Sequence, residues 1–143
     1  MPLSFGKMTV QHRDQIRALL DSGDADGYRL PIRNYSYEPT LKWRPADPSD
    51  QLTRGALGYF PTRSVRLFRR REEYRFSGHL HQAMAPSMLR SDGHVGDADV
   101  PIHHYGPLRD DRSKSPFYLS LARREAAAQP RDPRSWIELG VLL

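Results

Sequence analysis

The histidines of this chain are the side chains best suited to bind a metal ion or move a proton, because the sequence has six of them and no cysteine. His79 and His81 are two residues apart, so in an extended segment their imidazoles face the same way and could chelate one ion. His103 or His104 could supply a third ligand from a neighbouring strand. The alternative is that these histidines line a polar cleft, where His81 acts as a general base or binds a substrate.

Two Asp-x-Asp strings are the other candidates for a metal site. Asp24 and Asp26, and likewise Asp97 and Asp99, have the spacing with which carboxylates hold Mg²⁺ or Mn²⁺ against a diphosphate. The first pair lies in a predicted turn and the second in a polar loop, where aspartate is a common turn former. We therefore favour a turn-forming role for both pairs.

Arginine supplies almost all of the positive charge, with 19 Arg against 3 Lys and a net charge of +5. Six arginines lie between Arg63 and Arg75, and among them Arg66 and Arg69 are candidates to contact a substrate phosphate. The alternative is that their long stems cover the edges of a sheet. The sequence contains no glycine-rich phosphate loop and no recognisable nucleic-acid-binding motif, so we predict no nucleic-acid partner.

Length and composition limit the class of protein. The 143 residues allow one ordinary domain, and a hydrophobic fraction of 38% is too high for a fully disordered chain. No apolar run reaches the roughly 18 residues of a membrane-spanning helix, and residues 1–7 do not resemble a secretory signal. Because disulfides are also impossible, we expect a cytoplasmic protein without a transmembrane segment.

Hydrophobic periodicity predicts the first half of the fold. A helix is expected over 10–20, with an apolar stripe of Ile16, Leu19 and Leu20 and with Gly23 just past its end. A strand is expected over 27–35 with one face formed by Tyr28, Leu30 and Ile32, and Pro31 predicts an edge position or a bulge. Residues 36–62 predict a long flap anchored by Trp43.

The second half is predicted to contain short strands followed by helices. In a strand over 64–70, Val65 and Leu67 should face one way and Phe68 the other. A turn over 71–73, a strand over 74–76, a short helix ending near Leu89, a loop over 90–99 and a strand over 100–105 follow. A helix from Ser115 to Pro130 should bury Phe117, Tyr118, Leu121 and Ala122, and a second helix should run over 135–143. The predicted class is α+β, a few-stranded mixed sheet with flanking helices followed by two C-terminal helices.

The last helix carries the string Trp136-x-x-Leu139-Gly140-x-x-Leu143, which is similar to the opening of a tetratricopeptide repeat. A single half-repeat cannot bury its own apolar face, so this helix is expected to dock on the rest of the chain or on a partner.

An ordered series of strings resembles a known family more specifically. The strings are Asp26-Gly27-Tyr28-Arg29-Leu30, Arg33-Asn34-Tyr35, Arg66-Leu67-Phe68-Arg69, Phe76-x-Gly78-x-x-His81, Ile102-His103-His104-Tyr105-Gly106 and Pro130-Arg131-Asp132. In this order they resemble the second half of a bacterial family 2 glycosyltransferase that runs into tetratricopeptide repeats. The resemblance implies a GT-A fold, a nucleotide-sugar donor, a divalent metal (Mg or Mn) and inverting transfer to an acceptor hydroxyl. It also implies two parts, an acceptor half over 1–112 and a helical extension over 113–143.

The same resemblance implies where the site residues lie. His81 and Gln82 occupy the catalytic string, and many relatives carry there, in place of Gln82, a glutamate that is a candidate general base. An amide cannot accept a proton at neutral pH, so Gln82 departs from this pattern. His79 and Tyr105 lie in the matched strings as candidate substrate-binding residues, and Trp43 could stack on a sugar or simply anchor its loop.

The resemblance further implies that the nucleotide-binding half, with its metal-holding Asp-x-Asp, precedes the matched strings. We therefore expect a truncated or split enzyme that is inactive alone, is marginally stable or oligomeric, and depends on a separate N-terminal half or another partner protein. One alternative is a noncatalytic module, derived from a glycosyltransferase, that binds carbohydrate or protein. A second alternative is a histidine-based metal protein.

Overall fold

A computed structural model describes residues 10–37, 39, 42–79, 82–108 and 115–143 as an α+β fold with one mixed sheet and four helices. In chain order the elements are α1 (Val10–Ser22), β1 (Gly27–Ser36), β2 (Arg44–Pro45), β3 (Gly58–Phe68), α2 (Ala85–Arg90), β4 (Val95–Asp97), β5 (Ile102–His104), α3 (Ser115–Ala128) and α4 (Pro133–Leu142). Short 3-10 turns lie at Gln51–Thr53 and Gly106–Leu108. The predicted α+β class is confirmed. None of the helices in these ranges combines the length and the apolar composition that crossing a bilayer requires.

Strand β1 lies at the centre of the sheet. It pairs with β3 in antiparallel register along its whole length, and β2 pairs with the start of β3. On its other edge, β4 pairs in parallel with 27–29 and β5 with 32–34. Pro31 falls in the gap between these two segments, where its missing N–H costs no hydrogen bond to either. The edge position predicted from Pro31 is therefore wrong, because β1 has partners on both sides.

The bulge lies in β3 rather than at Pro31. Tyr28 pairs with Leu67 and Arg29 with Val65, so Arg66 is an extra residue without a register partner. As a result Leu67 packs with one core cluster and Val65 with another. The prediction that Val65 and Leu67 share a face is wrong, because the extra residue resets the alternation of side chains along the strand.

Three clusters of buried side chains form the core. The first lies under α1 and contains Ala25, Tyr28, Leu30 and Val100. The second lies under α2 and contains Val65, Tyr74, Met84 and Met88. The third lies near the Ser36 end of β1 and contains Tyr35, Ala56 and Tyr105. Strand β1 contributes Tyr28 and Leu30 to the first cluster and Tyr35 to the third, so it connects these two.

Helix α1 matches its prediction closely. Ile16 and Leu19 pack against the first cluster, whereas Leu20 is 48% exposed and does not share their burial. Gly23 follows the helix with φ +66°, the left-handed conformation that glycine adopts most readily after a helix end.

The loops differ from their predictions in length and content. The flap predicted over 36–62 is shorter, since β1 continues to Ser36 and β3 begins at Gly58, and it contains β2 and a 3-10 turn. The strand predicted over 74–76 is absent, and the helix predicted to end near Leu89 is α2. Strand β4 lies where a loop was expected. The short strands β2 and β4 form by pairing with other strands, and local sequence patterns do not reveal such partners.

Helices α3 and α4 pack on each other through small residues. Ala122 is 0% and Ala126 1% exposed, whereas Phe117 is 56% and Tyr118 39% exposed. The predicted buried stripe is therefore correct for Ala122 and wrong for the two aromatics, which are exposed. Asp132 caps α4 by accepting a hydrogen bond from the Arg134 N–H at 3.0 Å.

Candidate functional site

The segment that carries the Gly-x-x-His string forms a closed loop. The Ser77 N–H donates to the Ala83 carbonyl at 2.9 Å, and the Ala83 N–H donates to the Ser77 carbonyl at 2.8 Å. These two bonds bring Ser77 and Ala83 together. We call the residues between them the loop over 78–82, of which the structure describes Gly78, His79 and Gln82. Gly78 has φ +98°, a conformation that favours glycine. His79 and Gln82 are exposed, and His81 lies outside the described residues.

A cleft of about 430 Å³ separates this loop and α2 from the two C-terminal helices. We call it the helix-pair cleft. One wall comes from the loop and α2, and consists of Ser77, Gly78, Ala83, Pro86 and Arg90. The other wall comes from α3, α4 and their connection, and consists of Glu125, Gln129, Asp132, Arg134, Ser135 and Glu138. Its volume lies within the range of about 300–1,000 Å³ that is usual for small-molecule sites.

Glu125 links the two walls of the helix-pair cleft. The backbone N–H of His79 donates to Glu125 Oε2, and the Gln129 side-chain amide donates to Glu125 Oε1. The first hydrogen bond joins the loop to α3. The second joins Glu125 to Gln129, which lies about one helical turn further along the chain.

A second cluster of polar and aromatic side chains surrounds His103 near the other end of β1. His103 is 2% exposed, and its Nδ1 shares a hydrogen bond of 2.8 Å with Tyr35 Oη. Its ring stacks between those of Tyr35 and His12, at centroid distances of 5.8 and 6.3 Å. Its Nε2 is buried and has no hydrogen-bond partner among the described residues. His103 therefore belongs to the core rather than to an open site.

Burial makes the charged form of His103 unfavourable. Burial, followed by the nearby Arg33 guanidinium, lowers the pKa of His103 below its ordinary value of 6.5. Burial likewise raises the pKa of Tyr35 and of Tyr105 above 10.0. All three groups are thus held neutral at neutral pH, as expected for side chains packed in a core.

The lowered pKa of His103 predicts a loss of stability in weak acid. As the pH falls below 6.5, the unfolded chain binds a proton at His103 before the folded chain does, so the free energy of unfolding decreases until the folded pKa is reached. We expect the melting temperature to fall between about pH 7.5 and about pH 5.5, and His103→Gln to flatten this slope. His94→Gln, at an exposed position, is the control and should keep it. An unchanged slope in His103→Gln would contradict the prediction.

Tyr105 and Trp43, both candidate substrate-binding residues, lie in packed surroundings. Tyr105 is 6% exposed, its hydroxyl donates to the Leu52 carbonyl at 2.6 Å, and the Arg54 guanidinium lies over its ring at 4.0 Å. The Trp43 ring lies against Gly58, where a side chain would collide with the indole and with the Arg44 carbonyl. Trp43 is half-buried, and in the described part of the chain its indole N–H has no acceptor. Both residues hold the segment between β1 and β3 in place.

The metal-ligand candidates are engaged by other groups of the chain. His104 Nδ1 bonds Asn34 Oδ1 at 2.8 Å. Arg63 donates to Asp97 at 3.3 Å and to Asp99 at 2.6 Å. Asp26 accepts from Arg71 at 2.7 Å and from the His94 N–H at 2.9 Å. No group of three or more histidine, aspartate or glutamate side chains is placed to hold a metal ion in the ranges that the structure describes. The divalent metal that the resemblance implies stays a prediction.

The site residues predicted from the sequence do not meet in one place. His79 and Gln82 lie in the loop beside the helix-pair cleft, near the Gly27 end of β1, where α2 packs. Trp43, His104 and Tyr105 lie near its Ser36 end. Tyr35 lies eight positions after Gly27 along β1, which corresponds to about 26 Å. Arg66 is the exposed bulge residue of β3, and Arg69 follows β3 and is also exposed.

The helix-pair cleft contains residues that sequence reasoning missed, chiefly Arg90, Glu125, Gln129 and Arg134. Glu125 lies on a helix among other charged residues, and such a pattern ordinarily indicates a solvated face. Two matched strings lie at the cleft, the Gly-x-x-His string of the facing loop and Pro130-Arg131-Asp132 before α4.

Comparison with known proteins gives no match: no protein-family model, no curated protein and no solved structure resembles the chain significantly. The family resemblance of the ordered strings therefore stays a prediction.

Proposed function

We propose that the chain forms the acceptor side of a sugar-transfer site, at which a sugar passes from a nucleotide-sugar donor to an acceptor hydroxyl. The observation that carries this proposal is the position of the loop over 78–82. This loop bears the string that resembles a glycosyltransferase, and its base forms part of the wall of a cleft of about 430 Å³.

The side chains of the helix-pair cleft suit a ligand rich in hydroxyl groups. Carboxylate oxygens accept hydrogen bonds from sugar hydroxyls, and guanidinium and amide groups donate to them. The cleft offers both kinds, with Glu125 and Glu138 as acceptors and Arg90, Arg134 and Gln129 as donors. A hydroxyl in such a site keeps the hydrogen bonds that it would lose on leaving water.

In the proposed reaction, the oxygen of the acceptor hydroxyl attacks the anomeric carbon of the donor. A base takes the hydroxyl proton, a new carbon–oxygen bond forms, and the bond to the nucleoside diphosphate breaks with its electron pair. Gln82 cannot act as that base, because its amide does not take up a proton at neutral pH. Its exposed amide can instead hold the acceptor hydroxyl by a hydrogen bond.

A second candidate is a noncatalytic carbohydrate-binding module that uses the same cleft. The observation in its favour is Gln82, an amide at the string position where relatives carry a carboxylate. The two candidates share the ligand class and differ only in whether a bond is made.

A transfer assay distinguishes the two candidates. The purified chain is mixed with radiolabelled nucleotide sugars, methyl glycosides as acceptors and Mn²⁺. Because the resemblance places donor binding outside the matched strings, the assay is run with and without an extract of the cells in which the chain occurs. We expect labelled acceptor to form in the presence of the extract, and only when the chain is added. Glycoside binding without chain-dependent transfer would establish the second candidate, and the absence of both would contradict both.

A further inference from the structure

The polar groups of the helix-pair cleft are divided unequally between its walls. The loop and α2 contribute the polar side chains of Ser77 and Arg90. The opposite wall contributes six, namely Glu125, Gln129, Asp132, Arg134, Ser135 and Glu138. Most of the hydrogen-bonding capacity of the cleft therefore belongs to α3, α4 and their connection, a part of the chain that the sequence presented as an appended helical extension.

The helical pair also bonds directly to the loop. The carboxylate of Glu125 accepts the backbone N–H of His79, three residues before Gln82. A hydrogen bond from a backbone N–H to a carboxylate is charge-assisted and therefore stronger than a neutral one. The Gln129 amide holds the second oxygen of Glu125, which fixes the direction of the carboxylate.

We propose that Glu125 is a positioning residue, which holds the backbone at His79 against α3 and so makes the C-terminal helical pair one wall of the acceptor site. The role in acceptor binding rests on the proposed function, whereas the bond between Glu125 and His79 does not. Without the bond between Glu125 and His79, the loop keeps the hydrogen bonds between Ser77 and Ala83 at its base but loses this hydrogen bond to α3. The distance across the cleft is then free to vary, and a bound hydroxyl loses simultaneous contact with both walls.

The proposal distinguishes two substitutions of Glu125. Glu125→Ala removes the acceptor of the His79 N–H, and it leaves a good helix former in α3, so the fold should persist. Glu125→Gln keeps an oxygen that can accept the same hydrogen bond but removes the charge. Arg124→Gln is the matched control, because Arg124 is exposed on the same helix and does not line the cleft.

Two measurements on the complete chain test the proposal, namely hydrogen exchange of the His79 amide and the affinity for methyl β-D-glucopyranoside. We expect Glu125→Ala to raise the exchange rate about tenfold or more, Glu125→Gln to restore most of the protection, and Arg124→Gln to change nothing. The glycoside should bind Glu125→Ala at least about threefold more weakly, whereas Glu125→Gln should stay within about twofold of the wild type.

The results separate this proposal from the proposed function. Unchanged His79 exchange in Glu125→Ala would overturn it, and so would faster exchange with unaltered glycoside affinity. If the wild type bound no glycoside while His79 exchange still responded to Glu125→Ala, the bond to the loop would stand. The role of this bond in an acceptor site would then be contradicted, and so would the proposed function.

Discussion

Replacement of Met88 by alanine is expected to lower the free energy of unfolding by about 2–5 kcal/mol, the usual cost of truncating a fully buried methionine. Met88 is 0% exposed and lies in the second core cluster with Val65, Tyr74 and Met84. Its terminal methyl group also lies close to Gly27, where a side chain would collide with it. The cavity left by alanine would therefore lie between α2 and the start of β1.

Urea denaturation measures this loss, with Met88→Leu as the control. Leucine nearly conserves the volume, so Met88→Leu should cost less than about 1.5 kcal/mol. Because Pro86 and Arg90 of the same helix line the helix-pair cleft, Met88→Ala should also disturb the cleft wall. A loss of less than about 1 kcal/mol in Met88→Ala would show that α2 is not packed as described.

Replacement of Tyr35 by alanine is expected to cost about 3–5 kcal/mol, because it removes a large aromatic ring from the third core cluster. Tyr35 is 1% exposed, and its ring stacks on those of His103 and Tyr105 at 5.8 and 5.4 Å. It also packs edge-on against Tyr59, which lies opposite it on β3. Its removal would thus take away the contact that joins β1, β3 and β5 at this end of the sheet.

Tyr35→Phe separates the hydroxyl from the ring. The phenylalanine keeps the stacking but leaves His103 Nδ1 without its partner, beside an Nε2 that already lacks one among the described residues. We expect this substitution to cost about 1–3 kcal/mol, clearly less than Tyr35→Ala. Thermal and urea unfolding of both variants provide the comparison. Equal losses of stability in the two variants would contradict a contribution from ring stacking. No loss of stability in Tyr35→Phe would contradict a contribution from the hydrogen bond to His103.

The elements that could be predicted from the sequence are those with a long local pattern. The apolar spacing of Ile16 and Leu19 predicted α1, the alternation from Tyr28 to Ile32 predicted β1, and the helix predicted over 135–143 corresponds to α4. In each case residues within one or two turns or along one strand carry the signal. Their burial in the structure agrees with the face that the pattern indicated.

Strand β4 could not be predicted, because its three residues, Val95–Asp97, offer no alternation to detect. They are a strand only because β1, 68 positions earlier in the chain, leaves an edge for them to pair with. The bulge at Arg66 is hidden for a related reason. A single extra residue leaves the composition of β3 unchanged, and only the register with β1 shows that it is there.

The candidate site was predictable only in part. The Gly-x-x-His string directed attention to the loop over 78–82, but the facing wall contains ordinary helical residues. Glu125 gains its importance from a contact with His79, 46 positions away, and no local pattern encodes that contact. Conversely, Tyr105 and His104 suggested a site by residue type, while the structure engages them in the core and in a side-chain hydrogen bond.

The most direct test of the account is whether a carbohydrate binds in the helix-pair cleft. We would titrate the ¹⁵N-labelled chain with methyl β-D-glucopyranoside and methyl N-acetyl-β-D-glucosaminide up to about 50 mM, well above a Kd of about 1 mM. Ala83→Trp would fill the cleft, and Ala127→Trp, at an exposed position on α3 away from it, is the matched control. The account predicts saturable shifts at Ser77, Gly78 and the Glu125–Glu138 wall that Ala83→Trp abolishes and Ala127→Trp retains. Shifts confined to the Ser36 end of β1, or none with either glycoside, would contradict it.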